Sequence, residues 1–215
     1  MSTLNTKSVS EIHDQLAIEV FVKKAQEAEI SEYVKTVYSI ARHLLGSMSL
    51  QEFAAYTSNF NANKTGTGEK SQIQWLKENK FPTIEKLSNR GKKAIWLTKL
   101  SSGQYTIAKG EKTNLSGIKS FDAMAVLPNE IALFVLKAVD LGSLTDSTGG
   151  GHQGNVQDEV VRLVEHARHQ NLFFDKKPVK IYIVVDGRSA AGIIKAGQKA
   201  ANGSINIVIN ESASL

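Results

Sequence analysis

Two charged residues stand where apolar neighbours make them unusual. Asp122 is the only acid between Ile118 and Val126, flanked by Phe121 and Ala123, and burying a lone carboxylate costs several kcal/mol unless a cation or hydrogen-bond donors compensate. In the next apolar run Ile131, Leu133, Val135, Lys137 and Val139 share one face by two-residue alternation, so a single lysine interrupts an apolar row. If the two runs pair as a hairpin about Pro128 and Asn129, position 122 falls near position 135, one step from Lys137. A carboxylate and an ammonium meeting there can hold a hard cation and act on water. The same residues also suit an internal ion pair, or a lysine whose head reaches solvent. The chain has no cysteine, which excludes disulfides, Cys zinc sites, iron–sulfur clusters and thiol nucleophiles and leaves hard-cation, acid–base or binding chemistry.

Two further features point to phosphate. The segment Gly149-Gly150-Gly151-His152-Gln153-Gly154-Asn155 runs into a predicted helix. Glycines let backbone amides approach an anion, and a helix N-terminus adds positive potential. No Lys-Ser/Thr pair follows, so it is not a Walker loop, and it lacks the context of a dinucleotide fingerprint; a plain hairpin-to-helix connection has the same composition. The second feature is charge. The net charge is +5, yet between Lys64 and Lys119 12 Lys and Arg face 4 acids, an excess of +8 that leaves −3 for the rest. This stretch, with Lys92 and Lys93, is either a solvated basic face or a phosphate-contacting surface. No two of the five histidines form an HExxH pair; His152 stands apart by its place among glycines. Trp75 and Trp96 read as core anchors, and Asp186 as a turn or helix-capping residue.

The elements that must position these residues are legible in outline. A chain of 215 residues with 41% hydrophobic residues can bury roughly two-thirds of its unfolded surface, enough for one core. Ser8 and Glu11 have capping-box spacing before Ile12, Leu16, Ala17, Val20 and Phe21. Ser31 is placed to cap a second helix with the stripe Val34, Val37, Tyr38, Ala41, Leu44 and Leu45, ended by Gly46, and Ser49 with Glu52 to cap a third. Asn59 to Lys70 reads as a mobile loop, and the pieces around Trp75 and from Thr83 to Leu87 as helical. Strands are expected at Ala94–Leu100 and Gln104–Ala108, then at Ile118–Val126 and Ile131–Val139. A helix from Asn155 to Asn171, a buried central strand at Ile181–Val185, a helix from Ser189 to Ala201 and a strand from Ile205 to Ile209 complete the order.

From Ile118 to Ile209 this order resembles a known family. A hairpin with Asp on its first strand and Lys on its second, then Gly-Gly-His-Gln-x-Asn, a helix, a buried strand ending in Val184-Val185-Asp186-Gly187, and a last helix and strand together resemble the PD-(D/E)XK nucleases, specifically type II restriction endonucleases. The resemblance implies Mg²⁺-dependent hydrolysis of double-stranded DNA, with Asp122 ligating the metal and Lys137 orienting and deprotonating the attacking water. The family's second acid precedes the lysine by two residues, where this chain has Val135. Glu159 is the best replacement as second metal ligand, because it borders the helical stripe of Val156, Val160, Leu163 and Ala167, whereas Asp158 and Glu165 point away. Glu130, about 23 Å from Lys137 along an extended strand, is too distant. The DNA contacts expected are Gly150, Gly151, His152, Gln153, Asn155, Lys92 and Lys93.

The expected architecture is a single α/β domain over 1–215: a mixed sheet with a central antiparallel hairpin flanked by helices, restriction-endonuclease-like. It has a helical N-terminal part (1–60), a basic segment (61–115) and a nuclease-like core (116–215). The expected function is a sequence-specific, Mg²⁺-dependent DNA endonuclease acting as a homodimer on duplex DNA. The alternatives are a DNA-binding or regulatory protein on the same fold that has lost catalysis, and a small-molecule enzyme using the glycine segment for a phosphate. A polar N-terminus and the lack of an apolar run of about 18 residues point to the cytoplasm, with no membrane partner.

Overall fold

The computed structural model describes residues 7–27, 32–45, 49–50, 53, 66–112, 117–139 and 153–215. Two helices come first, α1 (Val9–Glu27) and α2 (Glu32–Leu45). The capping box forms as its spacing predicts: the Ser8 amide donates to Glu11 Oε2 at 2.7 Å and the Glu11 amide to Ser8 Oγ at 3.2 Å. Ser31, Gly46 and most of the third expected helix lie outside the described residues.

Helix α3 (Thr67–Asn79) is longer than its sequence suggests. Residues Thr67 to Lys70 belong to its first turn, which corrects the loop expected there. Their glycine and polar character reflects close packing: a Cβ on Gly68 would stand 2.5 Å from Ala138 Cβ, and Thr67, Gly68, Ser71 and Gln72 are buried. Residues Thr83–Leu87, expected to be helical, contain strand β1 (Glu85–Lys86), which pairs antiparallel with β5 (Ala123–Val126). Pairing to an available sheet edge overrides local propensity here.

Strands β2 (Ile95–Lys99), β3 (Tyr105–Lys109) and β4 (Gly117–Ser120) form a small antiparallel sheet in the order β3-β2-β4. The main sheet runs β1-β5-β6-β8, with β6 at Ile131–Ala138 and β8 at Lys177–Asp186; the short β7 (Phe173–Phe174) and β9 (Ile207–Asn210) also pair with β8. Pairing is antiparallel between β5 and β6 but parallel between β6 and β8 and between β8 and β9. The sheet is therefore mixed. Each parallel step spans a helix, α4 (Gln153–Ala167) and then α5 (Ala190–Ala201).

The alternation along β6 divides the core. Ile131, Leu133 and Val135 pack in one cluster with Val160, Leu163 and Val164 of α4 and Ile193 of α5. Ala132, Phe134 and Leu136 pack on the opposite face with Ile12 of α1 and Trp75 and Leu76 of α3. Both faces of the central strands are thus covered, which is why β8 carries the uninterrupted run Ile181 to Val185. The tryptophans are core anchors as expected, with Trp75 Nε1 donating to Lys7 O and Trp96 Nε1 to Gly110 O.

The expected single strand Ile118–Val126 is two strands in two sheets. The Phe121 amide donates to Ile95 O of β2 at 3.0 Å, while the Asp122 amide donates to Phe134 O of β6 at 2.8 Å. The chain changes partner between these residues. Asp186, expected to cap or turn, instead accepts from Gln72 Nε2 at 2.8 Å, the Ser212 amide at 2.9 Å and Ser212 Oγ at 2.6 Å. That buried knot ties α3 to the end of β8 and to the C-terminal turn Ser212–Ser214.

The contact at Gly68 yields a direct test. Gly68→Val should lower stability by about 1–3 kcal/mol through overpacking, read by urea denaturation. Gly68→Ala should be partly rescued by Ala138→Gly in a double-mutant cycle. Additive effects would mean that helix and strand do not touch there.

Candidate functional site

The site lies where β4 hands over to β5, beside the C-terminal end of β6. In a straight strand residues three apart face opposite sides, so Lys119 and Asp122 would diverge. The change of sheet at Phe121–Asp122 instead brings both charges to one locus. Asp122 comes from this bend, Lys137 from β6, Glu159 from the first half of α4 and Lys119 from β4.

Four charges make the cluster. Lys137 Nζ lies 2.7 Å from Glu159 Oε2, and Lys119 Nζ lies 2.7 Å from Glu159 Oε1. One carboxylate thus bridges two lysines. The lysine side chains are only 17% and 19% exposed, whereas Glu159 is 38% exposed at the rim. Asp122 is 4% exposed, and its Oδ2 accepts from the Leu136 amide at 2.9 Å. The hairpin register, with Ala123 opposite Phe134, carries position 122 to position 135 as the spacing predicts.

Surroundings set the protonation of each group. Burial pushes the Asp122 carboxyl above its usual range, against the opposing pull of Lys119, the Leu136 hydrogen bond and Lys137, while the charge of Glu69 adds to the rise. Burial would also raise Glu159, but hydrogen bonds from Lys119 and Lys137 outweigh it and hold this carboxyl below the ordinary range. Lys119 is lowered by burial and raised more by Asp122 and Glu159, so it stays a firm cation.

Glu69, on the first turn of α3, is near enough for its charge to act on Asp122 and pairs with Lys86 Nζ at 3.2 Å. Gln72 of the same helix donates to Lys137 O at 3.1 Å and so holds the end of β6. Sequence reasoning missed Lys119, Glu69 and Gln72. Lys119 carries one signal, its position three residues before Asp122, but only the change of sheet makes that spacing converge.

The other expected residues fare differently. Asp158 and Glu165 are exposed, as the helical wheel predicts, and Glu130 sits in the hairpin turn. Lys92 and Lys93 are exposed just before β2, outside the cluster's hydrogen bonds. Gly150, Gly151 and His152 lie outside the described residues. Gln153 opens α4, two residues ahead of the expected start, and Asn155 is an exposed residue of its first turn. His13 is buried in α1 with its pKa lowered by burial, and His166 stacks on Tyr105 at 4.7 Å, so neither reaches the cluster's ion pairs.

Asp122 and Glu159 offer hard oxygen donors, the kind Mg²⁺ takes, and Mg²⁺ is commonly held by one or two carboxylates with water and phosphate completing its shell. The donor chemistry fits in kind. Among the described residues no group of three or more His, Asp or Glu is placed to hold a metal ion, and no helix is long and apolar enough to cross a membrane.

An acid whose folded pKa is raised binds more protons folded than unfolded, so its ionisation removes stability as pH rises from its ordinary value of 3.8 through the raised one. Without divalent cations Asp122→Asn should therefore raise Tm at neutral pH, and the gain should vanish below the ordinary carboxylate range. Differential scanning calorimetry across pH reads this; a lower Tm than the wild type at neutral pH would contradict the cost of this buried charge. In comparisons with protein families, curated proteins and solved structures, no match to this chain was found.

Proposed function

We propose that the chain is a Mg²⁺-dependent endonuclease for double-stranded DNA with a restriction-endonuclease-like core. The observation that carries this reading is that Asp122, bonded to the Leu136 amide and within electrostatic reach of Lys137, and the Lys137–Glu159 ion pair lie at one end of the central hairpin. The order of hairpin, helix, parallel strand, helix and parallel strand supports the same reading.

Asp122 and Glu159 would hold the cation, which supplies charge neutralisation at the phosphate and the leaving oxygen. Lys137 would orient the attacking water from the neighbouring strand and, only as the neutral amine left after its own proton passes to solvent, accept a proton from it. Asp122 is almost fully buried and Lys137 half-buried, which strengthens their field relative to that of charges in bulk water. Lys92 and Lys93 would contribute to the DNA-backbone-contacting surface, with Gln153 and Asn155 of the first turn of α4 and Gly150, Gly151 and His152, which precede that helix in sequence. A homodimer matches this role, since a second copy supplies a second site for the opposite strand.

A second reading is favoured by one observation. Both oxygens of Glu159 are taken by lysines, and no triad of metal ligands is present among the described residues. A duplex-binding protein that does not cut accounts for that.

Supercoiled plasmid incubated with and without Mg²⁺ separates the two. On the first reading the wild type nicks or linearises it, while Asp122→Asn, Lys137→Ala and Glu159→Gln each lower the rate by roughly 10²-fold or more. Binding of duplex without any cutting in Mg²⁺ or Mn²⁺ selects the second. Replacing Lys92 and Lys93 together by Ala should reduce the slope of log affinity against log salt by about 0.9 for each phosphate that these lysines neutralise. An unchanged slope would make that surface merely solvated.

A further inference from the structure

One titratable side chain outside the charge cluster is sealed inside the fold. His13 is fully buried, and among the described residues neither of its ring nitrogens has a hydrogen-bond partner. We propose that His13 makes α1 an acid-released clasp, docked on α3 and the main sheet while the ring is neutral and freed when the ring takes a proton. This inference stands apart from the nuclease reading and gives a role to α1, which that reading does not use.

The stripe on which His13 lies is the one that docks the helix. Val9, Ile12 and Ala17 are buried with it, at the spacing of a single helical face. Val9 and Ile12 pack in one cluster with Trp75 and Leu76 of α3 and Phe134 of β6. Just ahead of the helix, Lys7 O accepts from Trp75 Nε1 at 2.9 Å. In this way α1 braces the helix whose Gln72 holds the end of β6. A charge created within such a stripe has lost its water and gained no hydrogen bond, and leaving the interface removes that cost.

Among the described residues Asp14 alone is placed to offset that charge. Its Oδ1 lies 3.6 Å from His13 Nδ1, beyond hydrogen-bond reach. No other charged group acts on the ring, those of α3 (Glu69, Lys70, Lys77 and Glu78) included. Burial outweighs the pull of Asp14 and holds the imidazole below its ordinary value of 6.5. The undocked helix therefore takes the proton at a higher pH than the docked one, so docking is at full strength above 6.5 and weakens as pH falls below it. The sign is opposite to that of Asp122, whose ionisation removes stability as pH rises.

Hydrogen exchange of the full chain, read by mass spectrometry and corrected for the intrinsic pH dependence of exchange, tests this at about pH 7.5 and about pH 5. Peptides within α1 should lose protection at the lower pH by about three- to thirtyfold, while β6 and β8 keep theirs. The upper bound is the factor by which one proton on a group of ordinary pKa 6.5 favours the undocked form at about pH 5. His13→Leu, with an apolar side chain of similar size, should abolish the difference. Equal protection of α1 at the two pH values, a folded His13→Leu that keeps the wild-type loss, or an equal loss across β6 and β8 would each overturn the clasp. Should His13→Leu not fold, NMR titration of the His13 ring in the wild type decides. A ring that stays neutral for as long as α1 is docked upholds the clasp, and one that protonates near 6.5 with α1 still protected overturns it.

Discussion

The handover of hydrogen bonds at Phe121 and Asp122 is the constraint on which the site depends. The backbone leaves β2 at Phe121 and joins β6 at Asp122 without a loop between. Phe121 is fully buried at this junction and packs in the core shared with Ile95, Leu97 and Val135. A continuous strand would send Lys119 and Asp122 to opposite faces. Because the chain changes sheet there, a lysine of one sheet and a carboxylate of the other come within electrostatic reach of each other.

What stands at that junction is costly in isolation. Four ionisable groups share a poorly hydrated locus, and charge burial of this kind is repaid only by close mutual pairing and further hydrogen bonds. The pairing is uneven. Glu159 has both oxygens engaged and is held ionised, whereas Asp122 has one backbone donor and is pushed toward its neutral form. Such opposed shifts in neighbouring carboxyls are characteristic of functional sites, although structural ion pairs produce them too.

The frame around the site is braced from the other face of the sheet. Gln72 spans from α3 to Lys137 O, Val184 O and Asp186, and Asp186 in turn holds the amide and hydroxyl of Ser212. These bonds lock the C-terminal ends of β6 and β8 against the first turns of α3. The close approach at Gly68 is part of the same packing.

Local rules in the sequence decided a good deal. The capping box at Ser8, the buried run Ile181 to Val185, the hairpin register that places position 122 by position 135, and Glu159 on the inward edge of its helix all follow from period and spacing. These features depend on residues near one another along the chain, or on a repeat of 2 or 3.6 residues that geometry imposes. The break at Phe121, the strand at Glu85–Lys86, the helical first turn at Thr67–Lys70 and the knot at Asp186 were decided only by tertiary structure. Each is settled by a partner distant in sequence: Ile95 and Phe134 for the break, β5 for the short strand, Ala138 for the glycine turn, Gln72 and Ser212 for Asp186. Lys119 belongs with them, because its role arises when a backbone bend and a helix bring Asp122 and Glu159 to it, and no local pattern encodes that meeting.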